Sequence, residues 1–151
     1  MAWIEGTHEE TRTIAAPEEK VLAWFADPAV FREAMAQVET AEEIRAGVYR
    51  WILQEKNEKG IRFRPDYTVA YQRDGNTVTW HPEGGNMKSS GRCAVRRIDD
   101  ARSEIQYRET IAVDLPIPRL MAKVFSPIVA REIRGGVVEY LDLSQAALER
   151  S

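Results

Sequence analysis

Glu109 is the residue in this sequence whose position most invites chemistry. It lies in the run Ile105, Tyr107, Glu109, Ile111, Val113, where every second residue is otherwise apolar or aromatic. A strand over this run carries one carboxylate on its apolar face. A carboxylate facing an apolar hollow titrates above its ordinary range and is suited to general acid or base work, with Tyr107 as a second candidate for the same role. Glu132, one turn after Ile128 in a helical stripe, is the candidate counterpart. The commoner arrangement, and the one expected here, is that a bulge turns Glu109 outward or that an arginine such as Arg131 pairs with it, because structural ion pairs outnumber catalytic ones.

Around this carboxylate the sequence sets a row of aromatic residues at inward strand positions: Tyr49, Trp51, Phe63, Tyr67, Tyr71, Trp80 and Tyr107. Met87, Ser89, Cys93 and Ile111 fall on the same face, and Val124, Phe125, Ile128 and Glu132 on the facing side of a later helix. Plain core packing is one reading of the row. Cavity lining is the other, since pockets are mostly apolar with a few polar groups, and a buried phenol needs a hydrogen-bond partner that a ligand or pocket water supplies. Cys93 reads as a small packed residue because no basic group is placed beside it to activate the thiol. His8 and His81 are the only histidines and have no partner at ligand spacing, so no metal site is expected, and His81 is expected on the surface. There is no Gly-x-Ser-x-Gly elbow, and Gly84-Gly85-Asn86 lacks the Lys-Ser/Thr of a phosphate loop, so it reads as a hairpin turn. No cofactor is implied.

The elements that must hold these residues follow from periodicity. Gly6 to Ile14 reads as a first strand, stopped by Ala15-Ala16-Pro17, with Pro17 suited to the first position of a helix. Val21, Leu22, Trp24 and Phe25 form that helix's apolar stripe. Asp27 caps a second short helix that opens on Pro28 and buries Val30, Phe31, Ala34 and Met35. From Val38 to about Asp114 the period is two, punctuated at Gly47, Asn57 to Gly60, Asp74-Gly75-Asn76, Gly84 to Asn86 and Asp99 to Ser103. Such short connections make antiparallel neighbours. The outward positions Arg50, Arg62, Arg64, Asp66, Arg92, Arg96, Glu104 and Arg108 read as a solvated sheet face. After Pro118 a helix runs to about Leu148, with a kink expected near Pro127 or Gly135-Gly136 and a change of buried face beyond them.

Length and composition bound the rest. At 151 residues the chain fits one compact domain, taken here as 1–151, and 44% hydrophobic with 30% charged residues is ordinary globular composition. A net charge of −3 argues against a general nucleic-acid binder. One cysteine excludes a disulfide framework within the chain, and no apolar run approaches the roughly 20 residues of a membrane helix. The opening Met1-Ala2-Trp3-Ile4-Glu5 lacks the basic start of a secretory signal. A cytoplasmic protein without integral membrane contact is expected.

The stretch Thr13-Ile14-Ala15-Ala16-Pro17-Glu18-Glu19-Lys20-Val21-Leu22-Ala23-Trp24-Phe25-Ala26-Asp27-Pro28 resembles the opening of the START, Bet v 1 and polyketide cyclase/dehydrase superfamily, often called SRPBCC. The element order resembles that superfamily over nearly the whole chain. The resemblance implies an α+β helix-grip fold, a curved antiparallel sheet wrapped around a long C-terminal helix, with two short helices after the first strand. It also implies a cavity between sheet and helix for a lipid, hydrophobic or aromatic molecule, which tips the aromatic row toward cavity lining. It transfers no catalytic residue. The expected function is binding, for transport or sequestration, of a hydrophobic or aromatic small molecule. A cyclase- or dehydratase-like enzyme using Glu109 or Tyr107 and a module that docks a protein partner through the arginine face are the alternatives. Ligand identity and oligomeric state stay open.

Overall fold

The computed structural model describes residues 2–58 and 60–150, and of Glu58 the backbone alone. The first strand, β1, spans Ala2–Ile14 and begins earlier than the threonine-rich stretch suggests. The extension is driven by Ala2 and Ile4, whose buried side chains continue the inward alternation of Gly6 and Ile14. Pro17 stands just outside α1 (Glu18–Ala26) as its N-cap, where its missing N–H is costless. Asp27 caps α2 (Pro28–Ala34), its Oδ1 accepting the Ala29 N–H at 3.0 Å. Val30, Phe31 and Ala34 are only half-buried, because α2 roofs a hollow rather than a filled core.

The remaining strands are β2 (Val38–Arg45), β3 (Val48–Leu53), β4 (Lys56–Glu58), β5 (Ile61–Phe63), β6 (Asp66–Asp74), β7 (Thr77–Gly85), β8 (Met87–Asp99) and β9 (Arg102–Leu115). Among the described residues, seven of the nine strands form one sheet in the order β1-β9-β8-β7-β6-β3-β2, with antiparallel neighbours throughout. The alternation through Ile61, Phe63 and Tyr67 does not mark one continuous strand. The chain breaks at Arg64-Pro65, and β5 pairs with β4 as a separate two-stranded flap. Within the expected Asn57–Gly60 turn, Asn57 belongs to β4, Gly60 takes a φ of +80°, and Lys59 lies outside the described residues. On the outer face, Arg50–Asp66, Arg64–Glu39, Arg96–Glu104 and Arg108–Glu9 form ion pairs, and His81 is exposed there.

The last helix, α3 (Arg119–Glu149), is continuous through Pro127 and the two glycines. What changes along it is its neighbour. Its second half buries Val137, Leu141, Ser144 and Leu148, while in its first half Leu120 and Val124 are 83% and 63% exposed. α3 crosses β1 at Gly6, where an added Cβ would stand 3.0 Å from the Ala130 carbonyl oxygen. A side chain there would push the helix off the sheet. Among the described residues, no helix is long and apolar enough to cross a membrane.

Candidate functional site

Between the inner sheet face and the first half of α3 lies a cavity of about 270 Å³. The sheet contributes Tyr67, Tyr71, Trp80, Met87, Ser89, Tyr107, Glu109 and Ile111; α3 contributes Phe125, Ile128, Ile133 and Tyr140; Phe25, Phe31 and Met35 close one side, and Ile61 and Phe63 reach in from the flap. The rings support one another. Phe25 meets Tyr107 and Tyr140 at centroid separations of 6.1 and 6.2 Å, Phe31 meets Tyr140 at 5.4 Å, and Trp80 meets Tyr107 at 5.6 Å. Tilted and edge-to-face contacts of this kind are favourable and geometrically specific, so the wall resists collapse.

One polar cluster interrupts this apolar wall. Trp80 Nε1–H donates to Ser89 Oγ at 3.1 Å, Ser89 Oγ–H donates to Glu109 Oε2 at 2.7 Å, and Tyr107 O–H donates to Glu109 Oε1 at 2.8 Å. The arrangement depends on Gly91, which faces Trp80 on one side and Glu109 on the other in the strand register. A Cβ at Gly91 would stand 2.4 Å from Trp80 Cζ2, so only glycine admits the indole. Burial pushes the Glu109 carboxyl above its ordinary range, and the Ser89, Tyr107 and Trp80 hydrogen bonds with the His8 charge only partly offset that. The same desolvation drives the Tyr67, Tyr71, Tyr107 and Tyr140 phenols upward, so they remain neutral donors at physiological pH.

Comparison with solved structures decides the architecture. A START superfamily protein from Mycobacterium smegmatis is 14% identical with a TM-score of 0.73, the match covering 95% of this chain and 97% of that one. The Zhui aromatase/cyclase from Streptomyces sp. R1128 is 18% identical with a TM-score of 0.71, over 97% and 94% of the two chains. Norcoclaurine synthase from Thalictrum flavum, in complex with dopamine and hydroxybenzaldehyde, is 12% identical with a TM-score of 0.63, over 99% and 90%. The chain has the helix-grip fold of these structures. No family model and no curated protein matches its sequence.

Within this helix-grip fold the residues singled out from sequence divide into wall and support. Phe63, Tyr67, Tyr71, Trp80, Met87, Ser89, Tyr107, Glu109, Ile111, Phe125, Ile128 and Glu132 border the cavity. Four do not. Trp51 is completely buried behind the wall, donating its indole N–H to the Tyr71 hydroxyl at 3.1 Å, and Tyr49 stacks on it at 5.7 Å. Cys93 is sealed in the filled part of the core, where burial pushes its thiol up to about 12. Val124 is turned to solvent, since a helix rotates about 100° per residue and Phe125 is the one that faces in.

The expected outward turn of Glu109 does not occur. The β8–β9 register is unbroken from Met87↔Val113 to Arg97↔Ser103, so Glu109 keeps its inward place, and its donors are Ser89 and Tyr107 rather than Arg131. Glu132 is exposed at the rim and is no counterpart to it. His8 lies opposite Glu109 on β1, with its Nε2 held 2.9 Å from Glu10. Among the described residues no group of three His, Cys, Asp or Glu side chains is placed to hold a metal ion. Sequence reasoning read Phe25, Phe31 and Met35 as ordinary helical apolar stripes and did not single out Tyr140, yet all four are wall residues. The signal available was that both helical stripes must face the same hollow.

Proposed function

We propose that the protein binds a compact aromatic small molecule between the sheet and the first half of α3, for transport or sequestration, with the Ser89–Glu109–Tyr107 cluster fixing its polar end. The observation that carries this reading is an unfilled space of about 270 Å³ ringed by self-supporting aromatic side chains and holding one polar cluster. That volume is at the small end for ligand pockets and suits a ring system better than a long-chain lipid. A fold shared with an aromatase/cyclase and with a synthase holding dopamine and hydroxybenzaldehyde supports an aromatic occupant. A lone buried thiol suits the cytoplasm. Native mass spectrometry of the purified protein is expected to show a discrete added mass, extractable as an aromatic compound, and Ile128→Trp is expected to abolish it by filling the hollow. Retention of the same compound by that variant would count against the cavity.

A second reading rests on Glu109 itself. Its carboxyl, raised by burial and touching Tyr107, supports acid–base chemistry of the cyclase or dehydratase kind on the bound molecule. Glu109→Gln separates the two, costing about 10²–10⁴ in turnover under the enzyme reading and leaving retention of a neutral ligand within a few-fold under the binder reading. The outer arginines give a docking module little support, because Arg50, Arg64, Arg96 and Arg108 are each occupied by an acid of the same chain.

A further inference from the structure

We infer that the cavity selects cationic aromatic ligands, of the arylalkylamine class, whose ammonium group pairs with Glu109. The inference rests on the binding reading above and adds the charge of the ligand to it. Among the described residues bordering the cavity the charged ones are Asp27, Lys56, Glu109 and Glu132, and no arginine. Asp27, Lys56 and Glu132 are exposed at the rim, so among the described lining residues Glu109 is the one interior carboxyl, accompanied by neutral phenols and by no lysine or arginine. A carboxylate-bearing ligand with its charged end inward would meet an acid and no cation. An ammonium meets an acceptor.

The geometry leaves room for it. Glu109 Oε1 accepts from the Tyr107 hydroxyl and Oε2 from the Ser89 hydroxyl, and the Trp80 indole N–H also acts on the carboxylate, so its protein donors are all neutral. An ionised carboxylate has about four acceptor sites, so about one remains for a ligand's N–H group. His8, opposite Glu109 on β1, makes its close contact with Glu10 rather than Glu109, its Nε2 lying 2.9 Å from a carboxylate that Arg12 also contacts at 3.0 Å. Burial raises the Glu109 carboxyl, and an ammonium beside it supplies the charge partner that favours the ionised form.

Three near-isosteric probes test this by isothermal titration at pH 7: phenethylamine, 2-phenylethanol and phenylacetate. The expected order of affinity is amine, then alcohol, then carboxylate, with the amine at least about tenfold tighter than the carboxylate, the scale of one charge-assisted hydrogen bond. Glu109→Gln, which keeps shape and hydrogen bonding, should weaken the amine about tenfold or more while the alcohol stays within a few-fold. Alcohol binding doubles as the check that the variant is folded. Should it not fold, the order in the unmodified protein decides alone. Phenylacetate binding as tightly as phenethylamine, or an amine advantage that survives Glu109→Gln, overturns the inference while leaving the cavity reading intact. Failure of all three probes to bind overturns both.

Discussion

The two halves of α3 lie against the same sheet and have opposite interiors. Beyond Gly136, once Val137 and Tyr140 have closed the cavity's edge, the helix buries Leu141 and Leu148 in the core that also holds Ile14, Val95 and Ile105. It is also tied down at the β1–α1 junction: Lys20 Nζ donates to the Leu148 carbonyl at 2.9 Å, Ala15 N–H to Glu149 Oε2 at 2.8 Å, and Gln145 Nε2–H to the Thr13 carbonyl at 3.1 Å. Before the glycines, Phe125, Ile128 and Ile133 face a hollow whose walls are rings braced against rings. Branched aliphatic side chains interdigitate until no space remains, whereas large rings locked in tilted contacts hold each other apart. One end of the molecule therefore carries the stability, and the other keeps the space.

That contrast is broken most severely at the filled end. Leu141→Ala removes a side chain that is 1% exposed and should cost about 2–5 kcal/mol of unfolding free energy by urea titration, with probe binding changed only a few-fold. Ile128→Ala, whose side chain already borders empty space, should cost clearly less. Equal costs would mean that the hollow is in practice filled.

Next in size is the pH dependence at Glu109. Its folded pKa is raised above the ordinary 4.5, so between that value and the raised one the folded state holds a proton that the unfolded state has released. Stability from this group is full below about pH 4 and falls as pH rises through the window. Glutamine has no such proton, so in thermal melts Glu109→Gln should gain on the unmodified protein as pH rises to 7, and the gain should vanish in acid. A difference independent of pH would place Glu109 in a watery environment. The smallest effect is expected at Gly135, where an added Cβ meets nothing within 4 Å: Gly135→Ala should stabilise by about 0.5–1 kcal/mol through helix propensity alone, without touching ligand affinity.

Much of this was legible in the chain. The period of two through Tyr107, Glu109 and Ile111 names inward residues because alternation is a local property, whereas the helical stripe takes in Phe125 and Ile128, which face the hollow, together with Val124, which faces solvent. Depth along the sheet is not local. Trp51 and Cys93 share a face with the cavity wall yet sit in solid packing, since only the path of α3 over the sheet decides where the hollow opens. The inward place of Glu109 likewise needed the unbroken β8–β9 register and the two hydroxyls that make its burial tolerable. The contribution of α1 and α2 to the wall, through Phe25 and Phe31, depends on how both helices dock, which their stripes alone do not specify.

The most direct test of the account is where an aromatic molecule sits. Isotope-filtered NMR on the protein saturated with 2-phenylethanol should give intermolecular nuclear Overhauser contacts from the phenyl ring to Phe125, Ile128 and Ile133 of α3 and to Tyr67 and Tyr107 of the sheet, with none to Leu141 or Leu148. Contacts confined to the exposed Leu120 and Val124, or to the outer arginine face, would contradict an internal site and with it the reading of the hollow as the working part of the molecule.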